Sequence, residues 1–379
     1  MAIKILFITT SVGHATFRKT ARLLARAGSE VRMLGYSRNN YPASMDDVPT
    51  TVLGVVEHKN YLSRLLTLAR DLLTVRKTAV QYDVIHCFGL DALLFSHIAL
   101  AFKSPVKVYQ VQDIRSLVIG TGLKARLLRA LESHLLKKVQ TLVVSSPAYF
   151  EHHFKRYYGF PSERTFILEN KLEQKPQINP PQDDSQAEKS TLHIGYFGVL
   201  RCPVSISILS ELAQNGGGRF KVYLRGKIAV DNFSGSSENL EFGGPYKAPD
   251  DLSGMYSGMD LIWAAYPYGH KREGNWQWAR TVRFYESCAY GLPVIVQEGT
   301  VDADFVRQHD IGLVVDMADP AAVIAAVQKI DWPTIKRWKA NLAALPSSHF
   351  VNQGEHERLL EILENPGKNL VSLNLEAEK

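Results

Sequence analysis

Residues 2–36, AIKILFITTSVGHATFRKTARLLARAGSEVRMLGY, pass through two hydrophobic periodicities in one short span. Ile3 to Ile8 form an apolar run of strand length, interrupted only by Lys4. Phe17, Ala21, Leu24 and Ala25 then recur at helical spacing, Gly28 closes that helix, and EVRMLGY opens a second strand. This is a βαβ unit. The opening run is too short for the core of a secretory signal and no small-residue cleavage site follows it, so it reads as a buried first strand.

The alternation continues outward. TVLGVV, DVIHCF, VKVYQV and TLVVSS read as further strands, with helices over 61–80, 91–102, 123–139 and 147–158. Strand and helix in strict alternation imply a parallel, doubly wound α/β sheet. Between Lys171 and Ser190, KLEQKPQINPPQDDSQAEKS is rich in proline and polar residues and marks a linker. The pattern then restarts with HIGYFGVL, a helix over 204–213, FKVYLRG, NLEFGG, DLIWAAYP, LPVIVQ and GLVVD, and closes with helices over 320–330, 334–344 and 354–364. The expected organisation is an N-terminal domain (1–172), a linker (173–190), a C-terminal domain (191–350) and a C-terminal helix and tail (351–379) packing back on the N-terminal domain. Two Rossmann-like domains of this kind are expected to face a cleft lined by the carboxyl ends of both sheets, where such sheets bind ligands.

Three scattered cysteines, Cys87, Cys202 and Cys288, share no metal-ligand spacing and suggest reduced thiols in a cytoplasmic protein. No stretch approaches the roughly 20 apolar residues that cross a bilayer. The net charge of +6 conceals an asymmetry: residues 1–170 hold 23 Lys+Arg against 12 Asp+Glu, and the remainder 21 against 26. A basic front half suits an anionic partner or is a solvated surface. No nucleic-acid-binding motif accompanies it. Two basic segments, 60–77 and 122–139, set leucines at helical spacing opposite arginines and lysines. They suit either a domain core or an anionic membrane surface.

Residues 274–297, GNWQWARTVRFYESCAYGLPVIVQ, carry the most chemistry. Asn275 as N-cap, Gly291 past the end and Pro293 beyond it predict a helix over 276–290. Free N–H groups and the positive dipole end at its start suit a pyrophosphate. Arg280, Thr281 and Arg283 can add donors, and the Glu286 carboxylate can accept from two ribose hydroxyls. The alternative is an ordinary amphipathic helix with a surface ion pair.

RFYESCAYGLPVIV resembles the donor-site signature of GT-B glycosyltransferases, GT4 and its relatives in particular. The resemblance implies that Glu286 holds the nucleotide ribose, with Arg283 the basic residue three before it. The usual first Glu, eight residues earlier, is replaced by Trp278, and Glu273 is its possible substitute. HIGYFGVLR resembles the segment of these enzymes where basic side chains meet the donor diphosphate, which places Arg201, after the turn at 195–200, at the phosphates. LRGK brings Arg225 and Lys227 to the phosphates or base, or leaves them as solvated strand-end charges. In the N-terminal domain the resemblance points to the loop after the first strand, where Gly13 allows close backbone approach and His14 is a general-base candidate or a surface cap. VYQVQDIRS implies that Asp113 is a base or acceptor ligand, with Arg115 compensating its charge or binding an anionic acceptor.

The resemblance implies a transferase that moves a hexose from a UDP- or GDP-linked sugar to a saccharide or polyprenyl-linked acceptor. It needs no metal or other cofactor and works on the cytoplasmic face of the membrane in bacterial surface polysaccharide synthesis. A nucleotide-sugar epimerase or a non-catalytic binding scaffold on the same fold are the alternatives.

Overall fold

The computed structural model describes residues 2–37, 48–55, 61–101, 105–177, 190–231, 233, 235–265 and 276–366, with side chains described only from Arg70 onward in the helix that starts at Tyr61. The chain divides into two compact units, Met1–Glu169 with Gly354–Lys379, and Asn170–Gln353.

Unit 1 runs β1 (Lys4–Thr9), α1 (Ala15–Arg26), β2 (Glu30–Ser37), β3 (Thr50–Val55), α2 (Tyr61–Ala79), β4 (Val84–Phe88), α3 (Leu90–Ala99), β5 (Val106–Val111), α4 (Ser116–Ile119), α5 (Leu123–Leu136), β6 (Thr141–Val144), α6 (Pro147–Tyr149), a π-helical turn (Phe150–Lys155), α7 (Arg156–Tyr158) and β7 (Thr165–Ile167). All its strand pairs are parallel, in the order β3-β2-β1-β4-β5-β6-β7. Ile5, Phe7, Met33, Val84, Val108 and Val143 build a core against Phe17, Ala21 and Leu24 of α1. That core is completed by Leu359, Leu360, Ile362 and Leu363, which belong to a helix over Glu355–Glu364. Near-continuous apolar strands of this kind are what a parallel sheet buried on both faces requires.

Unit 2 runs β8 (Leu192–Leu200), α8 (Pro203–Asn215), β9 (Phe220–Ile228), β10 (Leu240–Phe242), α9 (Leu252–Tyr256), β11 (Leu261–Trp263), α10 (Val282–Ala289), β12 (Val294–Gln297), α11 (Val301–His309), β13 (Gly312–Val315), α12 (Pro320–Gln328) and α13 (Trp332–Ala344). Its parallel sheet has the order β10-β9-β8-β11-β12-β13. One face packs on α8, α12 and α13, the other on α9, α10 and α11. Leu172 and Val351 form a parallel bridge within this unit, after which α14 (Glu355–Glu364) returns the chain to unit 1.

The alternation implied by the sequence is therefore a pair of doubly wound α/β domains. Two local expectations are corrected. The helix expected over 276–290 starts at Val282, because Thr281 Oγ1 accepts from Phe284 N at 3.1 Å and takes the N-cap, while Trp276 to Trp278 form a turn. The turn expected at 195–200 is continuous strand, paired with β9 through Leu200. In α5, Leu135 and Leu136 are buried but Leu123 and Leu127 are exposed, so its leucines divide between core and solvent. Among the described residues no helix is long and apolar enough to cross a membrane. All three cysteines are buried and unpaired.

Candidate active site

In unit 2 the chain winds outward from β8 to β9 and β10, then returns to the other side of β8 with β11, so the strand order reverses between β8 and β11. The crevice beyond the carboxyl ends of such a pair is where doubly wound sheets hold ligands. Arg283, in the first turn of α10, reaches both strands there. Its Nε donates to Phe197 O of β8 at 2.5 Å and its Nη1 to Trp263 O of β11 at 3.2 Å, while its guanidinium lies over the Tyr196 ring at 4.5 Å. The two carbonyls belong to strands on either side of the reversal. One planar fork thus locks the start of α10 onto the edge of the sheet.

Beside it, β8 and β9 approach closely. Gly198 and Gly226 face each other in register with φ of 109° and 132°. A Cβ on Gly198 would lie 3.4 Å from Arg283 Nη2, and one on Gly226 only 1.8 Å from Gly198 O. The gap between guanidinium and strand therefore stays backbone-lined.

One turn further along α10, Glu286 is 7% exposed and its Oε2 accepts a 2.7 Å hydrogen bond from Tyr256 Oη. Thr281 and Arg280 both engage Asp302 of α11. Thr281 N and Oγ1 lie 3.4 and 3.5 Å from Asp302 Oδ2, and Arg280 Nε lies 3.4 Å from Oδ1. Arg280 also covers the rings of Phe305 and Phe284 at 4.8 and 5.0 Å. Burial pushes the Asp302 carboxyl up to about 7, against the pull of Arg280. The expected phosphate donor Arg280 is thus turned into the protein, where it holds the α10–α11 corner.

Arg225, on β9, donates from Nε and Nη2 to Gly244 O and Pro245 O at 3.2 and 3.1 Å, shaping the loop after β10. Arg201 is exposed immediately beyond β8, and Lys227 is exposed near the end of β9. Trp276 is exposed and Trp278 half-buried. Glu273 and Asn275 lie outside the described residues.

Unit 1 repeats the geometry. Its strand order reverses between β1 and β4, and the loop that leaves β1 carries Gly13 and His14. The His14 ring sits 4.8 Å from that of Phe88, the last residue of β4, and His14 is the N-cap position of α1. Asp113 is exposed just past β5. Arg115 holds Asp91 of α3 through its two terminal guanidinium nitrogens, Nη1 and Nη2, at 3.0 and 2.5 Å. Sequence patterns single out Asp113 and Arg115 but give no sign of Asp91, Tyr256 or Asp302, each of which acts through a partner remote in the chain.

Two parallel doubly wound units, each with polar groups at its own strand-order reversal, are the two Rossmann-like domains of the GT-B fold. Residues 13–171 match the model of the glycosyl transferase 4-like domain, and the chain belongs to that glycosyltransferase family. Succinoglycan biosynthesis protein ExoL of Rhizobium meliloti (strain 1021) is 31% identical over 341 residues, covering 84% of this chain and 82% of the relative. Among solved structures, the Anabaena protein HepE in complex with UDP and glucose superposes with a TM-score of 0.66 at 17% identity, covering 96% of this chain and 100% of that one. WaaG, a glycosyltransferase involved in lipopolysaccharide biosynthesis, does so with a TM-score of 0.67 at 16% identity, covering 95% and 100%.

Proposed function

We propose that this glycosyltransferase of polysaccharide synthesis draws its sugar from a nucleoside-diphosphate sugar bound on unit 2 at α10. The observation that carries this is Glu286: a buried carboxylate one turn into the helix that Arg283 pins at the strand reversal. A vicinal diol is the natural donor pair for such an acceptor, and the family resemblance assigns it to ribose. The ligands named for HepE, UDP and UDP-glucose, support a uridine nucleotide, with GDP the other candidate.

In this scheme the diphosphate lies at the start of α10, where backbone N–H groups and the helix dipole favour an anion. Arg201, exposed beyond β8, and the Arg283 Nη2 edge beside Gly198 add positive charge. As the sugar–phosphate bond breaks, charge grows on the leaving diphosphate and these fixed cations stabilise it. Protein cations thus serve in place of a metal. On unit 1, His14 or Asp113 accepts the proton of the attacking hydroxyl, and Gly13 and Arg115 border the acceptor.

The acceptor is a saccharide or polyprenyl-linked glycan reached at the cytoplasmic face of an anionic membrane. The exposed Leu117, Leu123 and Leu127 beside exposed Lys124 and Arg126, on and next to α5, support this reading.

Calorimetric titration with UDP, GDP, dTDP, CMP and their sugar conjugates tests the donor site. One nucleoside diphosphate should bind selectively, and Glu286→Ala should weaken it at least about tenfold, the scale of a lost hydrogen bond to a charged group, with the fold retained by circular dichroism. Equal affinity in the variant removes Glu286 from the site. Turnover of the sugar nucleotide without any acceptor would indicate an epimerase instead.

A further inference from the structure

Glu286 is held by a second residue that no sequence signature marks. Tyr256, the last residue of α9, is 1% exposed and donates its hydroxyl to Glu286 Oε2 at 2.7 Å. Its ring is fixed on two sides. It stacks on Tyr290 with centroids 4.8 Å apart and planes inclined by only 5°, and meets Phe197 edge-on at 5.1 Å.

Both supports belong to the same corner. Tyr290 follows Glu286 by one helical turn, and Phe197 supplies the carbonyl that Arg283 binds. The phenol, the carboxylate and the pinned guanidinium are therefore positioned by one rigid set of contacts. Burial and the adjacent carboxylate push the Tyr256 phenol far above its ordinary value, so it stays a donor across the working pH range.

The terminal torsion of a glutamate is otherwise broad. A short hydrogen bond from a fixed donor to one oxygen removes that freedom and leaves the carboxylate one orientation.

We infer that Tyr256 is a positioning residue that holds the Glu286 carboxylate in the orientation that receives a vicinal diol, and so makes the site select ribonucleotides over their 2′-deoxy counterparts. This rests on Glu286 being the ribose ligand, as proposed above. Discrimination arises because a 2′-deoxy sugar leaves part of a fixed, buried acceptor without a donor, whereas a freely turning carboxylate can adapt to the remaining hydroxyl.

The test measures the dissociation constants of UDP and 2′-deoxy-UDP, and of GDP and 2′-deoxy-GDP, for wild type, Tyr256→Phe, Glu286→Ala and the double variant. Wild type should prefer the ribo form by roughly tenfold or more. Tyr256→Phe, which keeps both ring contacts, should bind the ribonucleotide several-fold more weakly and bring the preference to within about threefold. If Tyr256 acts through Glu286, the double variant should bind no more weakly than Glu286→Ala alone. Unchanged affinity and preference in Tyr256→Phe, with Glu286→Ala impaired, overturns the inference and leaves the donor site standing. An additive loss in the double variant also overturns it, showing general packing instead. If Glu286→Ala itself binds normally, the donor-site assignment fails and this inference fails with it.

Discussion

Single residues set the tolerances of the candidate donor site. Gly226 adopts φ of 132°, a conformation that side-chain-bearing residues rarely take, and its missing Cβ is what lets Gly198 O sit against it. Alanine there would combine backbone strain with a 1.8 Å contact to a backbone oxygen. Neither atom can move without breaking the β8–β9 register that carries Phe197 and Gly198. Gly226→Ala should therefore cost about 3 kcal/mol or more of stability, or prevent folding of unit 2. Urea unfolding followed by tryptophan fluorescence would read this. A loss under about 1 kcal/mol would mean that the two strands separate easily. Arg283 is demanding in another way: lysine offers one compact charge where two carbonyls from different strands require a planar fork.

At the scale of elements, α14 is the informative case. It is distant in sequence from the sheet it covers, yet Leu359, Leu360, Ile362 and Leu363 complete the unit 1 core. It also buries His356, and the same unit buries His86, stacked on Phe7 at 4.4 Å with Nε2 2.9 Å from Gln110 Oε1. Burial lowers both histidines to about 3. Lys19 and Arg22 add to the effect at His356. Both rings are neutral when folded, whereas the unfolded chain takes up protons below about 6.5. Their contribution to stability is therefore complete above pH 6.5 and is lost progressively as pH falls towards 3. Between pH 6.5 and 5 each histidine costs about 1.6 kcal/mol. Amide exchange in α1 and α14, corrected for its intrinsic pH dependence, should accelerate at pH 5 relative to pH 7. A His356→Leu variant should show a smaller acceleration. Identical pH dependence in the two proteins would show that His356 does not couple α14 docking to pH.

On the scale of the whole molecule, charge and exposed apolar groups coincide. The excess of 23 basic over 12 acidic residues in 1–170 lies in unit 1, which also carries Leu123 and Leu127, 72% and 62% exposed, next to exposed Lys124 and Arg126. Isolated exposed leucines are common on protein surfaces, but leucines interleaved with cations suit the headgroup region of an anionic bilayer. Sedimentation with vesicles should show binding that requires anionic lipid and weakens with salt, since the screening length shortens to about 8 Å at physiological ionic strength. Leu123→Asp with Leu127→Asp should reduce binding, and Lys124→Glu with Arg126→Glu should reduce it further at low salt. Equal binding to neutral vesicles would remove the electrostatic part of this proposal.

What the sequence determined by itself is local in its physics. Short apolar runs of strand length and stretches of helical period 3.6 depend only on neighbouring residues, so two doubly wound α/β domains were legible from runs such as IKILFITT and HIGYFGVL. That Arg283 and Glu286 share a helix was legible for a similar reason, since they are near neighbours on α10, whereas the role proposed for Glu286 comes from the family resemblance. The start of that helix was not. Several residues between Asn275 and Thr281 can begin a helix, and the choice of Thr281 comes with an Asp302 carboxylate 21 positions away. Tyr256 lies 30 positions from Glu286, and Asp91 lies 24 from Arg115. No pattern along the chain reports such pairs, because they exist only once the sheet has brought the ends of its strands together. Tertiary structure likewise decided which leucines of α5 meet the core and which meet water, a matter of how far along the helix its neighbours extend.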